Sequence, residues 1–202
     1  MSRIGILGGS FDPPHLGHLI LAEYALDELK LDRILFAPAG DPPHKQHEAK
    51  TSVAHRLAML ECALNGHPQF SISRVDVDRP GPHYTVDMLR LLGQQFPGAS
   101  LFFIMGGDSF RDLLKWHQPA QVVAQCQLAV MRRPGDGIDI HMHDTALPGL
   151  SARVRLLDTP LIEISSTLVM ERVRQGRSVR YLVPDAVRAY IDDHQLYRDE
   201  PS

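Results

Sequence analysis

Cysteine is scarce in this 202-residue chain, where Cys62 and Cys126 are the only two. Two thiols, each inside an apolar-periodic stretch, make neither a disulfide framework nor a zinc knuckle, and both are expected to be buried packing residues. No apolar run approaches the ~20 residues that a membrane helix needs, and the first residues lack the basic region and apolar stretch of a signal peptide. A cytoplasmic protein with no membrane attachment is the simplest expectation. Lysine is also rare, with four in the chain, and the net charge is -3. A broad nucleic-acid footprint would need a strong basic excess. Nucleic acid is therefore not an expected partner, and an anionic ligand must meet its positive groups locally. There is no internal repeat and no low-complexity tract.

What is present is ordinary globular composition, 44% hydrophobic and 22% charged, in a chain long enough for a sizeable core. Apolar runs at 3–8, 33–37, 71–77, 101–106 and 127–131 read as strands. Between them, 18–29, 52–64, 85–95 and 119–125 carry apolar residues three and four apart and read as helices. This alternation predicts an α/β fold, a doubly wound, Rossmann-like parallel sheet. Such sheets bind ligands beyond the carboxyl ends of their strands, which points to the loops after Gly8, Ala37, Val77, Gly106 and Met131. The Gly-, Asp- and His-rich stretch 133–151 should be a loop, and 153–157 a last short strand. From Ser165 the pattern turns helical, and Pro184 suits the first turn of a second helix. The expectation is one domain over 1–202, with 164–197 a C-terminal helical appendage packed on the sheet.

The loop after the first strand carries the most chemistry. Gly8 and Gly9 let the backbone turn tightly and let a phosphate approach main-chain N–H groups. Pro13 and Pro14 stiffen the loop beyond them, and His18 is expected to open a helix whose positive end favours an anion. His15 and His18, three apart, can share one helical face. Facing a polyphosphate, such rings donate hydrogen bonds when neutral and add charge when protonated. Neither GxxxxGK[ST] nor GxGxxG with a downstream acidic residue is present, which excludes the NTPase P-loop and the dinucleotide fingerprint.

The segment from Gly8 through Ser10, Phe11, His15 and His18 resembles the HxGH signature of the nucleotidyltransferase superfamily, whose members bind a nucleoside triphosphate and transfer its nucleotidyl group. Class I aminoacyl-tRNA synthetases share HxGH, but no KMSK-like loop is found and the chain is too short for a typical synthetase. Pro42, Pro43, His44 and Lys45 resemble the PPHK motif of bacterial nicotinate mononucleotide adenylyltransferases. That resemblance implies catalytic roles for His15, His18 and Lys45, with Lys45 on the triphosphate. His83, Tyr84 and Thr85 resemble the family's SYT segment, which implies that Tyr84 and Thr85 hold the nicotinate end. Thr85 also suits a helix N-cap.

Gly106, Gly107 and Asp108 end a strand, and the resemblance places Asp108 on a ribose. It also implies that Trp116, the only tryptophan, stacks on the pyridine ring. Arg132 and Arg133 resemble the family's RRPG and are expected on the acceptor and on ATP, respectively. Ser165, Ser166 and Thr167 open a helix that resembles the ISSTxIR motif, implying ATP contacts, and simple capping can coexist with them. Met170 stands where that motif has arginine. Arg132 or Arg133 could supply the missing charge, with activity surviving at weaker ATP binding. For the first loop the resemblance implies that Gly8, Gly9, Ser10 and Phe11 line the ATP site, with Ser10, Phe11 and Asp108 shared with nicotinate mononucleotide and Gly106 on that acceptor alone.

The function expected is transfer of the adenylyl group of ATP, with Mg²⁺, to nicotinate mononucleotide. Phosphopantetheine and nicotinamide mononucleotide are alternative acceptors, and a sensor without turnover is the non-enzyme alternative. A metal-binding role suggested by 11 histidines and by His141 and His143 lacks further ligands at fixed spacing. Assembly into a homo-oligomer is left open.

Overall fold

Six parallel strands lie in the order β3-β2-β1-β4-β5-β6. The computed structural model describes residues 1–40, 51–132, 137–160 and 162–198. The strands are β1 (Arg3–Gly9), β2 (Arg33–Pro38), β3 (Phe70–Ile72), β4 (Ser100–Gly106), β5 (Gln127–Arg132) and β6 (Val154–Asp158). The helices are α1 (Leu16–Glu28), α2 (Val53–Leu64), α3 (Thr85–Gln95), α4 (Gly107–Arg111), α5 (Pro119–Gln125), α6 (Ser166–Arg174) and α7 (Asp185–Asp193).

Both faces of the sheet are covered, which is why its central strands are almost wholly apolar. On β4, Leu101, Phe103 and Met105 point to a core formed with α3 and α5, through Val86, Leu89 and Val122 among others. The alternate residues Phe102 and Ile104 meet α1 and α2 through Ala22, Ala25 and Leu60. A third cluster joins Met59 of α2 to Val169, Val187 and Ile191. The C-terminal helices thus pack on α2, a helix beside the sheet, where packing on the sheet itself was expected.

β1 pairs with both β2 and β4, so the winding direction reverses between β1 and β4. A crevice opens at such a switch point, outside the carboxyl ends of the strands. The third strand is shorter than its sequence predicts. Asp78 N–H bonds Arg74 C=O at 3.0 Å and Arg74 reaches the Asp78 carboxylate at 2.7 Å, which curls 74–78 into a turn. The alternation of Val75, Asp76 and Val77 mimicked a strand, but Asp76 is buried because Arg79 pairs with it at 2.7 Å. Cys126 is buried as expected, whereas Cys62 is half-buried against the third cluster. Among the described residues no helix is long and apolar enough to cross a membrane.

Candidate active site

Two cavities meet at the β1/β4 switch. The larger, about 460 Å³, is lined by Gly8, Gly9 and the end of β4 through Gly106, and by Tyr84, Thr85, Trp116 and His117. The smaller, about 200 Å³, is lined by His15, Gly17, Gly107, Asp108 and the chain after β6. His18, Leu21 and Gly106 line both. Gly8, Gly9, His15 and His18 of the first loop, Tyr84 and Thr85, 106–108 and Trp116 thus converge from four separate stretches of sequence, whereas Ser10 and Phe11 line neither cavity.

α1 opens at Leu16, two residues earlier than expected, with His15 as its N-cap. His18 is therefore the third helical residue, and its Nδ1 accepts the His15 backbone N–H at 3.2 Å, the arrangement of a capping box. An Nδ1 that accepts carries no proton, so the neutral His18 ring holds its proton on Nε2 as a donor. The two rings lie 3.7 Å apart between centroids. Burial lowers the His15 pKa from 6.5 to about 4. Burial first, then the neighbouring His15, lowers that of His18 to about 3. Both rings are neutral at pH 7, so the expected contribution of a formal charge is replaced by hydrogen-bond donation. At the helix start, Leu16 N–H is already satisfied by Leu182 C=O at 2.9 Å.

Phe11 is 1% exposed, and its ring packs against His18 and Phe36. Its side chain is core, and only its backbone borders the loop. A Cβ on Gly9 would come within 3.2 Å of that ring, so Gly9 is needed for close packing inside the loop as much as for ligand approach. Gly17 is equally constrained, since a Cβ there would meet His15 Nδ1 at 2.9 Å.

The larger cavity has an aromatic wall. Tyr84 stacks on His117 at 4.2 Å, and Trp116 meets Phe103 edge-on at 5.7 Å. Tyr84, not Thr85, is the N-cap of α3, and Thr85 begins the helix. Asp108, 85% exposed in its side chain, stands in the first turn of α4 and pairs with Arg111 at 2.8 Å.

Other expected residues lie apart. Arg132 lines neither cavity, because its guanidinium is held by Asp158 of the adjacent strand at 2.7 Å. Ser165 caps α6 by accepting Leu168 N–H at 3.1 Å, and Ser166 Oγ donates to Pro13 C=O at 2.9 Å, tying α6 to the first loop. Thr167 is exposed and half-buried Met170 lines neither cavity. Lys45, Arg133 and the rest of 41–50 and 133–136 lie outside the described residues. His143 is buried against Phe110 C=O at 2.8 Å and His141 pairs with Asp144. Among the described residues no three His, Cys, Asp or Glu side chains converge as a metal site.

Sequence reasoning missed Asp76 and His117 in the larger cavity, and it missed Arg56. That arginine is 2% exposed and donates to four carbonyls, those of Ser10, Ala39, Gly40 and Thr51, at 2.8 to 3.2 Å. The available signal was a charged residue at an apolar position of α2, in register with Leu57, Leu60 and Leu64.

Residues 6–172 match the cytidylyltransferase-like family model. A Thermomicrobium roseum protein described as a "probable nicotinate-nucleotide adenylyltransferase" is 50% identical over 198 residues, covering 98% of this chain and 92% of its own. A Synechococcus relative of the same description is 44% identical over 197 residues, covering 98% of this chain and 95% of its own. Among solved structures, Plasmodium falciparum nicotinic acid mononucleotide adenylyltransferase complexed with NaAD is similar with a TM-score of 0.79, covering 98% of each chain. At 18% identity that likeness is one of fold.

Proposed function

This chain belongs to the cytidylyltransferase-like family, among the nicotinate-nucleotide adenylyltransferases, and from that premise we propose how its two cavities divide the reaction. The enzyme transfers the adenylyl group of ATP to nicotinate mononucleotide, giving the dinucleotide and pyrophosphate. The larger cavity takes the acceptor, with Trp116 and Tyr84 against the pyridine ring and Thr85 at the nicotinate end. The smaller takes the adenosine side of ATP, with Asp108 on a ribose hydroxyl. The observation that carries this reading is the position of His18, which lines both cavities at the point where they join.

The acceptor's phosphate is ionised at pH 7 and needs no strong base to attack the α-phosphorus. Catalysis is then positioning and stabilisation of charge on the phosphate oxygens. His18 Nε2–H points a neutral donor at that junction, and His15 beside it completes the pair. Neutral donors suit this task, since they polarise a phosphate oxygen without giving up a proton to it. Lys45 supplies the formal positive charge on the triphosphate. No covalent enzyme intermediate is required.

Mg²⁺ bound to the phosphates of ATP would neutralise part of their charge, beside His15, His18 and Lys45. The groups assigned to the phosphates, His18 Nε2–H and Lys45, are hydrogen-bond donors, so such a cation would be held by phosphate oxygens and water. An ATP-consuming step of this kind fits the cytoplasm.

The test offers nicotinate mononucleotide, its amide and phosphopantetheine as acceptors with ATP and Mg²⁺ and follows pyrophosphate release. The highest kcat/KM is expected for nicotinate mononucleotide. Equal or greater efficiency with phosphopantetheine would overturn the acceptor assignment, and no pyrophosphate with any acceptor would favour a nucleotide sensor.

A further inference from the structure

After α7 the chain makes a turn in which Gln195 and Tyr197 both adopt left-handed backbone, at φ +51 and +61. A bulky side chain rarely adopts that conformation, and it persists only where the surroundings hold it. Here the holding contact is internal. The Tyr197 hydroxyl donates to the Asp12 carboxylate at 2.5 Å, 185 residues away in sequence. Asp12 is 6% exposed and also accepts Thr51 N–H at 3.0 Å. The residue before it, Phe11, is left-handed as well, at φ +50. Strained backbone thus stands on both sides of one buried hydrogen bond.

Arg56 completes the arrangement. Its guanidinium bonds Ser10 C=O in the first loop, Ala39 and Gly40 after β2, and Thr51 before α2. Asp12 accepts the Thr51 N–H while Arg56 donates to the Thr51 C=O, so the strand ends, α2 and the turn after α7 are held to one another through buried polar groups. Burial first, then the Asp12 charge, raises the Tyr197 pKa and keeps its proton available for donation. Three residues beyond Asp12, His15 starts the helix that presents His18.

We propose that Tyr197 is a positioning residue for adenylyl transfer: through Asp12, and with Arg56, it fixes the loop that sets the His15 and His18 rings. The proposal rests on the reading that those rings serve the transfer. Tyr197 lines neither cavity.

The decisive variant is Tyr197→Phe, which keeps the ring and removes only the hydroxyl. The expected result is a kcat lower by about tenfold, since small misplacements of reacting groups are costly, with KM for ATP within about twofold. The ¹⁵N resonances of His15 and His18 should move, while those of distant His141 should not. A wild-type kcat, or unmoved His15 and His18 resonances, overturns the proposal. Should Tyr197→Phe fail to fold, Arg56→Lys keeps the charge but not the fork, and the same split of kcat from KM and the same spectral change are expected of it. Failure of the underlying reading is separate, because His18→Ala would then turn over at the wild-type rate whatever Tyr197→Phe does.

Discussion

His15 and His18 face each other with ring centroids 3.7 Å apart and a tilt of 31°, while the backbone N–H of the first donates to Nδ1 of the second. At that separation two imidazolium charges would repel strongly in a partly dry site. Burial first, and for His18 that repulsion second, holds both rings neutral, and the backbone bond decides which nitrogen of His18 is left to donate. The pair is a fixed hydrogen-bonding device, and its geometry is set by a helix start.

Removing the donor tests this directly. His18→Ala is expected to lower kcat by about 10²-fold or more, the scale on which single transition-state donors act. Steady-state rates of pyrophosphate release check it, and near-wild-type turnover would remove His18 from the chemistry.

The lowered histidine pKa values also predict a pH dependence of stability. Between pH 6.5 and about 4 the unfolded chain protonates these rings while the folded chain does not. Unfolding then binds protons, so stability falls as the pH drops through this window and is fully present above it. Urea denaturation at pH 7.5 and pH 5 should show a smaller loss for His18→Asn than for wild type. Equal losses in the two proteins would mean that His18 titrates normally in the fold.

Much of the fold was legible because a doubly wound sheet writes its strands as short apolar runs and its helices at period 3.6. Five of the six strands and every long helix follow that pattern. The third strand was misread because Val75 and Val77 alternate with Asp76 just as an edge strand would, and nothing local reveals that Arg79 buries that carboxylate. The candidate site was legible where its residues stand at strand ends, as at Gly8 and Gly106, or in the motif between β1 and α1, as with the His15–His18 pair. It was illegible where a residue acts through distant backbone. Arg56 reads as one more residue of the second helix until four carbonyls from two loops are seen around it, and Asp12 and Tyr197 are 185 residues apart.

A change at Trp116 tests the proposed division of the two substrates between the cavities. Its ring is half-buried on the wall of the larger cavity and packs edge-on against Phe103. Trp116→Ala should raise KM for nicotinate mononucleotide by up to about tenfold, consistent with a stacking contribution near 1 kcal/mol, and leave KM for ATP within about twofold. Movement of the ATP parameters alone would reassign the larger cavity.

Arg132 was expected on the acceptor, yet Asp158 already holds it. The pair is solvent-exposed, with side chains 41% and 74% accessible, and such pairs contribute under about 1 kcal/mol. Arg132→Ala is therefore expected to change stability by less than that and both KM values by less than about threefold. A tenfold rise in acceptor KM, with Asp158→Asn lowering it, would show instead that Arg132 leaves its partner for the substrate.

Gly17 links packing to chemistry most tightly. It lies within the histidine motif, but it requires no left-handed backbone. Its constraint is space: an added Cβ would sit 2.9 Å from His15 Nδ1 and 3.0 Å from Cε1, closer than real side chains approach. His15 is 6% exposed and cannot yield toward solvent. Gly17→Ala must therefore turn the His15 ring, and that ring is stacked on His18. The methyl group is small and helix-compatible, so the protein should still fold, with a thermal midpoint a few degrees lower for a cost of about 1–3 kcal/mol of overpacking. The larger effect should be on turnover, with kcat reduced more than tenfold while acceptor KM changes little, because the aromatic wall proposed for the acceptor lies on other elements. A variant with normal kcat would mean that the ring can turn without disturbing the donor, and that the close contact between Gly17 and His15 is packing alone.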